Sequence, residues 1–223
     1  MAGLMALAPA SLHAAQLFTP PEGCEVFLTV QMNQCRVEHH YECAASGTDR
    51  WRIVYLEEGP VFLSRIDAEA QWVSSVDLPT GNETVTVLPP RDPASVSNLL
   101  ATGADTFDFD QRRADGSIER IRGEDRIVER NVLIDGEVLN RTAFTVTYET
   151  ADGQEIGRYT GAEYVSDTHR KFFAGRGTSL FDGVQSSFDR TPREFIYPGE
   201  AGFASVVPLY DCGEMISALE VRS

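Results

Sequence analysis

Two cysteines and two adjacent histidines lie within nine residues, CRVEHHYEC, and side chains of these types can bind a metal, form a disulfide or act as a general base. Apolar and polar residues alternate here, which predicts a half-buried β-strand over residues 35–43 with His39 and His40 on opposite faces, unable to chelate one ion together. Cys35 and Cys43 would then lie about 26 Å apart at ~3.3 Å per residue, whereas a disulfide needs Cα atoms within roughly 7 Å. We therefore expect His39 on the buried face, where it can contact a ligand, and His40 in solvent.

The chain has four cysteines, and an even number in an exported protein predicts two disulfides. Two pairings avoid the excluded Cys35–Cys43 bridge. A hairpin with a two-residue turn at Asn33-Gln34 sets Cys24 opposite Cys43 and leaves Cys35 for Cys212, and we prefer this pairing. The alternative joins Cys24 to Cys35 and Cys43 to Cys212.

Aromatic side chains supply the other candidate site. Six of them lie on the expected inward faces of strands and, with His39, form the candidate ligand pocket: His39, Trp51, Tyr55, Phe107, Phe109, Phe144 and Tyr148. In a small barrel these rings would fill the interior, and in a wider one they would line a cavity on the order of several hundred Å³. The sequence contains no GxSxG elbow, HExxH helix, EF-hand loop, Walker loop or dinucleotide fingerprint, so we expect no catalytic residue, no metal and no cofactor.

The elements that must position these residues form a run of β-hairpins. Asp-Gly pairs favour tight hairpin turns because the central residues need φ > 0, and they occur at Asp115-Gly116, Asp135-Gly136 and Asp152-Gly153. The segments around them predict about six consecutive antiparallel strands between residues 105 and 175, and the first half of the chain is also strand-rich. The predicted fold class is mainly β: an antiparallel meander that forms a closed or partly open β-barrel with one short helix.

One helix and one loop complete this prediction. Asp92 is the expected N-cap, Pro93 the first helical residue and Gly103 the end of the helix. The stretch 175–202 is rich in Gly, Ser and Pro and is expected to be a long loop. Residues 203–210 are then expected to form the last strand.

Composition limits the partners. The chain has 223 residues with 19 Lys and Arg against 34 Asp and Glu, a net charge of −15. Because nucleic-acid binding depends on Lys and Arg neutralising phosphates, we expect no nucleic-acid partner. Residues 1–15 are typical of a secretory signal peptide or its remnant, residues 16–223 are expected to form a single β-barrel-like domain, and no later segment approaches the ~20 apolar residues of a membrane span. These features predict a periplasmic or secreted protein.

Several segments carry a resemblance to other proteins: GPVFLSRIDAEAQW, DPASVSNLLATGADTFDF, GAEYVSDTHRKFFAG and FIYPGEAGF. Through them the chain resembles, over nearly its whole length, uncharacterised exported proteins of alphaproteobacteria related to Rhodobacter. The resemblance implies a periplasmic or secreted location and offers no catalytic residues to transfer. The layout is also similar to lipocalin-like barrels and to LolA-like open barrels, in architecture only and without a shared motif.

The leading hypothesis is therefore an exported β-barrel-like protein that binds an apolar or amphiphilic small ligand. The alternative is a structural or interaction protein of the envelope without a ligand cavity. The third hypothesis is a hydrolase, which requires His39 to lie beside a carboxylate or hydroxyl in an open cleft.

Overall fold

The structure, a computed structural model, describes residues 16–213, so the predicted signal segment 1–15 lies outside the described residues. Within that range the chain is mainly β, as predicted, with one short helix, α1 (Val96–Thr102), and one 3-10 turn at Ala44–Ser46. The strands are β1 (Cys24–Met32), β2 (Arg36–Cys43), β3 (Arg50–Leu56), β4 (Gly59–Ile66), β5 (Trp72–Asp77), β6 (Asn82–Thr86), β7 (Ala104–Arg113), β8 (Ile118–Ile134), β9 (Glu137–Thr150), β10 (Glu155–Ser166), β11 (Lys171–Phe181), β12 (Val184–Asp189) and β13 (Pro192–Ile196).

All these strands belong to one antiparallel sheet, a meander from β12 back through β11 to β1, with β13 added beside β1. The sheet is not closed, because its edge strands β12 and β13 do not pair with each other, so of the closed and partly open forms expected, the closed barrel is not supported. In the two residues that join β12 to β13, Arg190 N–H donates to Gly175 O of β11 and Thr191 O accepts from Asn33 N–H. In an extended chain, successive residues direct their backbone N–H and C=O groups to opposite sides. Arg190 therefore bonds to β11, and the next residue, Thr191, bonds to Asn33 at the end of β1. The result is a strongly curled but open sheet.

All three Asp-Gly pairs lie between consecutive strands, as predicted, but they differ in turn type. Asp135 and Gly136 both have positive φ, 46° and 85°, and the residues flanking them are cross-strand partners, so this pair forms the two-residue turn. Gly116 and Gly153 have φ of 86° and 88° and lie in longer connections. Five strands, not six, occupy the region from 105 to 175, because β8 and β9 are long, at 17 and 14 residues.

Two disulfides hold the first hairpin, and they follow the pairing preferred from the sequence. The hairpin disulfide, Cys24–Cys43, joins cross-strand partners of β1 and β2 whose Cα atoms are 4.0 Å apart. The terminal disulfide, Cys35–Cys212, ties the β1–β2 turn to the C-terminal segment over a sequence separation of 177. Disulfides persist in oxidising compartments, so both bonds are consistent with an extracytoplasmic location.

The C-terminal part of the chain differs from the prediction. Residues 175–202 contain the end of β11 and all of β12 and β13, because strands at the edge of a sheet pack few side chains and need little apolar alternation. Residues 203–210 are not a strand and instead cross over β1. The buried Gln31 fixes them there, since its Nε2 donates to Val207 O and its Oε1 accepts from Leu209 N–H, both at 3.0 Å.

Helix α1 begins later than expected and ends where expected. Ser95, not Asp92, is the N-cap, and its hydroxyl oxygen accepts from Asn98 N–H at 3.1 Å. Asp92 forms an isolated bridge with Asp108, so its backbone extends the sheet instead of starting the helix. Gly103 ends the helix with φ of 88°, a conformation that glycine adopts without strain.

The apolar core is divided into three clusters. The first contains Leu28, Val30, Met32, Leu139, Phe173 and Phe195; the second Phe107, Phe109, Ile121, Phe144 and Val146; and the third Ala70, Val96, Leu99 and Val165. The third cluster seats α1 against the sheet. The second contains three of the predicted pocket residues, and we call the sheet face that carries it the inner face.

Candidate functional site

A β-bulge decides which way the two adjacent histidines point. A two-residue turn would set Leu28 opposite His39, but the register shifts at Phe27 and the turn has three residues, so Leu28 faces His40. One extra residue moves every later side chain to a different partner. Both histidines are fully buried, so the expectation that His40 lies in solvent is wrong.

His39 is enclosed by the N-terminal segment and the strands beside it. Its Nδ1 lies 3.0 Å from the Thr29 hydroxyl, the Phe18 ring stacks on it with 5.1 Å between centroids, and Tyr55 meets it edge-on at 5.5 Å. Burial lowers the pKa of His39 to about 4, against a smaller opposing effect of Glu38, so the imidazole is neutral at pH 7. This buried ring is not in the open cleft that the hydrolase hypothesis requires.

His40 faces Lys171, the single lysine of the chain, and the two form a buried polar row with Glu38 and Arg52. Lys171 is only 3% exposed, and its Nζ donates to His40 Nδ1. The His40 Nε2 and an Arg52 guanidinium nitrogen each lie 3.6 Å from Oε2 of Glu38. Burial, more than any neighbouring charge, holds the pKa of both His40 and Lys171 well below the ordinary value. Protons can pass between the side chains of this row. Glu38, His40 and Lys171 are all buried, so they have no surface that a substrate could contact.

The seven predicted pocket residues lie in two groups on opposite faces of the sheet. The register from β2 to β9 places four of them on the inner face, Phe107, Phe109, Phe144 and Tyr148, and three on the outer face, His39, Trp51 and Tyr55. The outer group packs against the N-terminal segment and Tyr41. The seven residues therefore do not form one pocket.

Beside the inner-face cluster, four half-buried rings form a continuous surface that we call the aromatic platform: Tyr148, Tyr159, Phe181 and Phe188. The centroid of Tyr159 lies 5.9 Å from that of Tyr148, 5.1 Å from that of Phe181 and 6.1 Å from that of Phe188. These are the separations of packed aromatic pairs. Because each ring keeps part of its surface exposed, the platform can contact a molecule laid on it.

Glycines allow two of these rings to lie flat on the sheet. Phe181 is the cross-strand partner of Gly157, and Phe188 is that of Gly177. A Cβ atom on Gly157 would overlap the Phe181 ring, and one on Gly177 would lie 2.8 Å from Phe188 Cζ. The rings thus occupy space that side chains at the glycine positions would fill. They line the inner face without projecting far above it.

Two acidic residues, not selected from the sequence, share the inner face with these rings. Asp125 is the cross-strand partner of Phe144, and Glu163 follows Gly161, the other partner of Phe144, by two residues. Burial raises the pKa of Asp125 well above its ordinary range, and nearby Glu163 and Asp105 raise it further. Burial likewise raises the pKa of Glu163 to about 7. Carboxyl groups with raised pKa values beside an apolar surface are typical of functional sites.

Two clefts lie elsewhere on the molecule. One of about 270 Å³ is lined by Tyr55, the only predicted pocket residue in it, and by Cys212 of the terminal disulfide. The other, of about 440 Å³, lies beside Tyr197 and Glu137. Neither is lined by the platform, so these clefts do not provide the aromatic cavity expected from the sequence.

No group of three or more His, Cys, Asp or Glu residues within 16–213 is arranged to hold a metal ion. In the same part of the chain, no helix is both long and apolar enough to cross a membrane. Comparison with protein-family models, curated proteins and solved structures finds no match to this chain. The resemblance to exported alphaproteobacterial proteins therefore stays a prediction, and function must be argued from the geometry of the inner face.

Proposed function

We propose that this protein is an exported binding protein that holds an apolar or amphiphilic small molecule on its aromatic platform. The observation that carries the proposal is the set of four contiguous, half-buried rings on the inner face. Ligand sites are lined mainly by apolar and aromatic side chains with a few polar groups beside them, and this surface has both. The two disulfides support the exported part of the proposal.

Binding of Nile red, a neutral apolar fluorophore, tests this proposal. Tyr159 contacts three other rings of the platform, so Tyr159→Ala is expected to weaken binding about tenfold, or about 1.4 kcal/mol, the scale of one lost aromatic contact. Tyr55→Ala is the matched control, because it removes a half-buried ring from the outer group. Circular dichroism establishes that both variants keep the fold.

The proposal fails if the wild-type protein shows no saturable binding of Nile red. It also fails if Tyr55→Ala weakens binding as much as Tyr159→Ala, because the site would then not be the platform.

A structural or interaction role in the envelope is the second candidate, and one exposed apolar pair favours it. Leu133 and Val138 are cross-strand partners near the β8–β9 turn and are 68% and 54% exposed. Contiguous exposed apolar side chains often mark interaction surfaces. Replacing both with Ser should abolish copurification of an envelope partner if this role is correct, and unchanged copurification would exclude this surface.

A further inference from the structure

Acidic side chains lie directly beside the rings on the inner face. Asp125 of β8 is level with Phe144 of β9, and Glu163 lies two residues beyond Gly161, which is level with Phe144 on β10. Two residues along a strand span roughly 6–7 Å. Tyr159, the centre of the platform, lies two residues on the other side of Gly161. A small molecule on the platform can therefore reach both carboxyl groups.

Asp125 carries a buried carboxylate oxygen without a partner. The residue is 8% exposed, and its Oδ1 makes no hydrogen bond within the part of the chain that the structure describes. Its cross-strand partner Asp105 differs, since that carboxylate accepts from Ser95 N–H at 2.8 Å and from Asn98 Nδ2 at 2.9 Å. Leaving a buried acceptor unpaired is costly, so Asp125 is suited to a donor supplied from outside the chain.

The charged groups around Asp125 make that donor a cation. The groups that act on its carboxyl are all acidic: Glu163, Asp105 and Glu124. Glu163 is only partly buried and its carboxylate forms no ion pair among the described residues. The opposing charge acting on Glu163 is that of Arg52, whose guanidinium lies 3.6 Å from Glu38. Among the residues that the structure describes, no basic side chain forms an ion pair with either carboxylate.

We propose that Asp125 and Glu163 bind the ammonium group of the ligand whose apolar body lies on the aromatic platform, so that the ligand class is a primary amine with an apolar or aromatic body. This inference rests on the proposed function. An ammonium group has three donors, enough for the free Oδ1 of Asp125 and for Glu163. Its positive charge lies between carboxylates and beside aromatic rings, which both attract cations. A carboxylate ligand would meet the like charges of Asp125 and Glu163 at this position.

Competition among three ligands with the same apolar chain tests the assignment: octylamine, octanol and octanoate, each displacing Nile red at pH 8. In wild-type protein, octylamine is expected to compete at least tenfold better than octanol, and octanoate worse than octanol. Asp125→Asn is expected to bring the amine and the alcohol within about twofold of each other. Glu124→Gln is the matched control, because this neighbouring acid is 54% exposed and pairs with Arg126 at 3.7 Å.

Titration calorimetry with octylamine alone separates failure of this inference from failure of the proposed function. If Nile red binds and the three ligands compete equally, the amine assignment is overturned and the proposed function stands. If Nile red does not bind, the proposed function fails, and calorimetric binding of octylamine that disappears in Asp125→Asn still supports the two carboxylates as an amine site. A preference for octanoate overturns the inference and indicates an anion site at Arg52.

Discussion

Glu163 gives the most quantitative test of the electrostatics of the inner face. Burial raises its pKa from the ordinary 4.5 to about 7, with Arg52 opposing the change and Glu38 adding to it. Between these two pKa values the folded protein holds a proton that the unfolded chain has lost, so stability falls as pH rises through this window. At about 1.4 kcal/mol per pH unit, the window corresponds to about 3 kcal/mol of unfolding free energy.

Glu163→Gln should remove this pH dependence, because glutamine has the shape of the protonated acid and cannot ionise. At pH 4.5 the variant and the wild type are expected to have similar free energies of unfolding. Above pH 7 the variant is expected to be more stable by up to about 3 kcal/mol, less what the partial exposure of the side chain allows water to screen. Urea denaturation at pH 5, 6, 7 and 8 measures the difference at each pH.

The exposed residue Glu124 provides the control for this measurement. Its side chain is 54% exposed, so Glu124→Gln should change stability little. Because the chain has 34 acidic residues, only the difference between variant and wild type is informative. A Glu163→Gln difference that is equal at pH 5 and pH 8 would refute the argument that burial governs this carboxyl.

Loss of the terminal disulfide in a Cys35→Ser, Cys212→Ser variant is expected to lower the unfolding free energy by about 5 kcal/mol, against about 3 kcal/mol for the hairpin disulfide, since the sequence separations are 177 and 19. Urea denaturation compares the two, and equal losses would contradict the loop-length argument. An amine-reactive reagent should leave Lys171 unmodified in the folded protein and modify it after denaturation, because the side chain is 3% exposed; peptide mass mapping checks this, and rapid native labelling would contradict the burial. Gly123→Ala should destabilise the protein by roughly 1–3 kcal/mol in thermal unfolding, because the new Cβ overlaps the Phe107 ring, and an unchanged midpoint would show that the ring can move aside.

Local patterns in the sequence predicted the hairpins well. Asp-Gly pairs mark connections between strands because few other residues tolerate their backbone conformations, and Asp135-Gly136 forms the tight turn that this rule describes. Alternation likewise placed Phe107 and Phe109 on the inner face of β7, since side chains of a strand alternate strictly between faces. Closure of the sheet was not predictable in this way, because it depends on where β13 pairs, and its partner β1 lies at the other end of the chain.

The positions of the histidines show how a single residue can defeat such patterns. The strand β1 is buried on both faces from Leu28 to Met32, so the polar residues Thr29 and Gln31 are covered as well as the apolar ones. Nothing in this run reveals that Phe27 is an extra residue, yet the bulge gives His40 the partner expected for His39. The strand β12 was also missed from the sequence. Its side chains are mostly exposed, so they do not alternate between apolar and polar as those of a half-buried strand do.

The acidic residues of the inner face were only partly accessible to sequence reasoning. In β8, Ile121, Gly123 and Asp125 share one parity, so an acid at an inward position could have been recognised from the alternation alone. The proximity of Glu163 could not, because it depends on the register of β10 with β9 and of β9 with β8. Long-range register, not residue type, brings the two carboxyl groups together.

Two buried polar groups in this molecule have different explanations. Glu38 has His40 and Arg52 each 3.6 Å from its carboxylate, so the charges of that row are balanced within the chain. One carboxylate oxygen of each residue, Oε2 of Glu38 and Oδ1 of Asp125, makes no hydrogen bond among the described residues, but only acidic groups act on Asp125. A buried group of this kind lowers stability, and an apolar residue would serve packing better. Positions at which a sequence departs from what folding favours are those at which function is expected, and this contrast in neighbouring charge is why we propose Asp125, and not Glu38, as a ligand-binding residue.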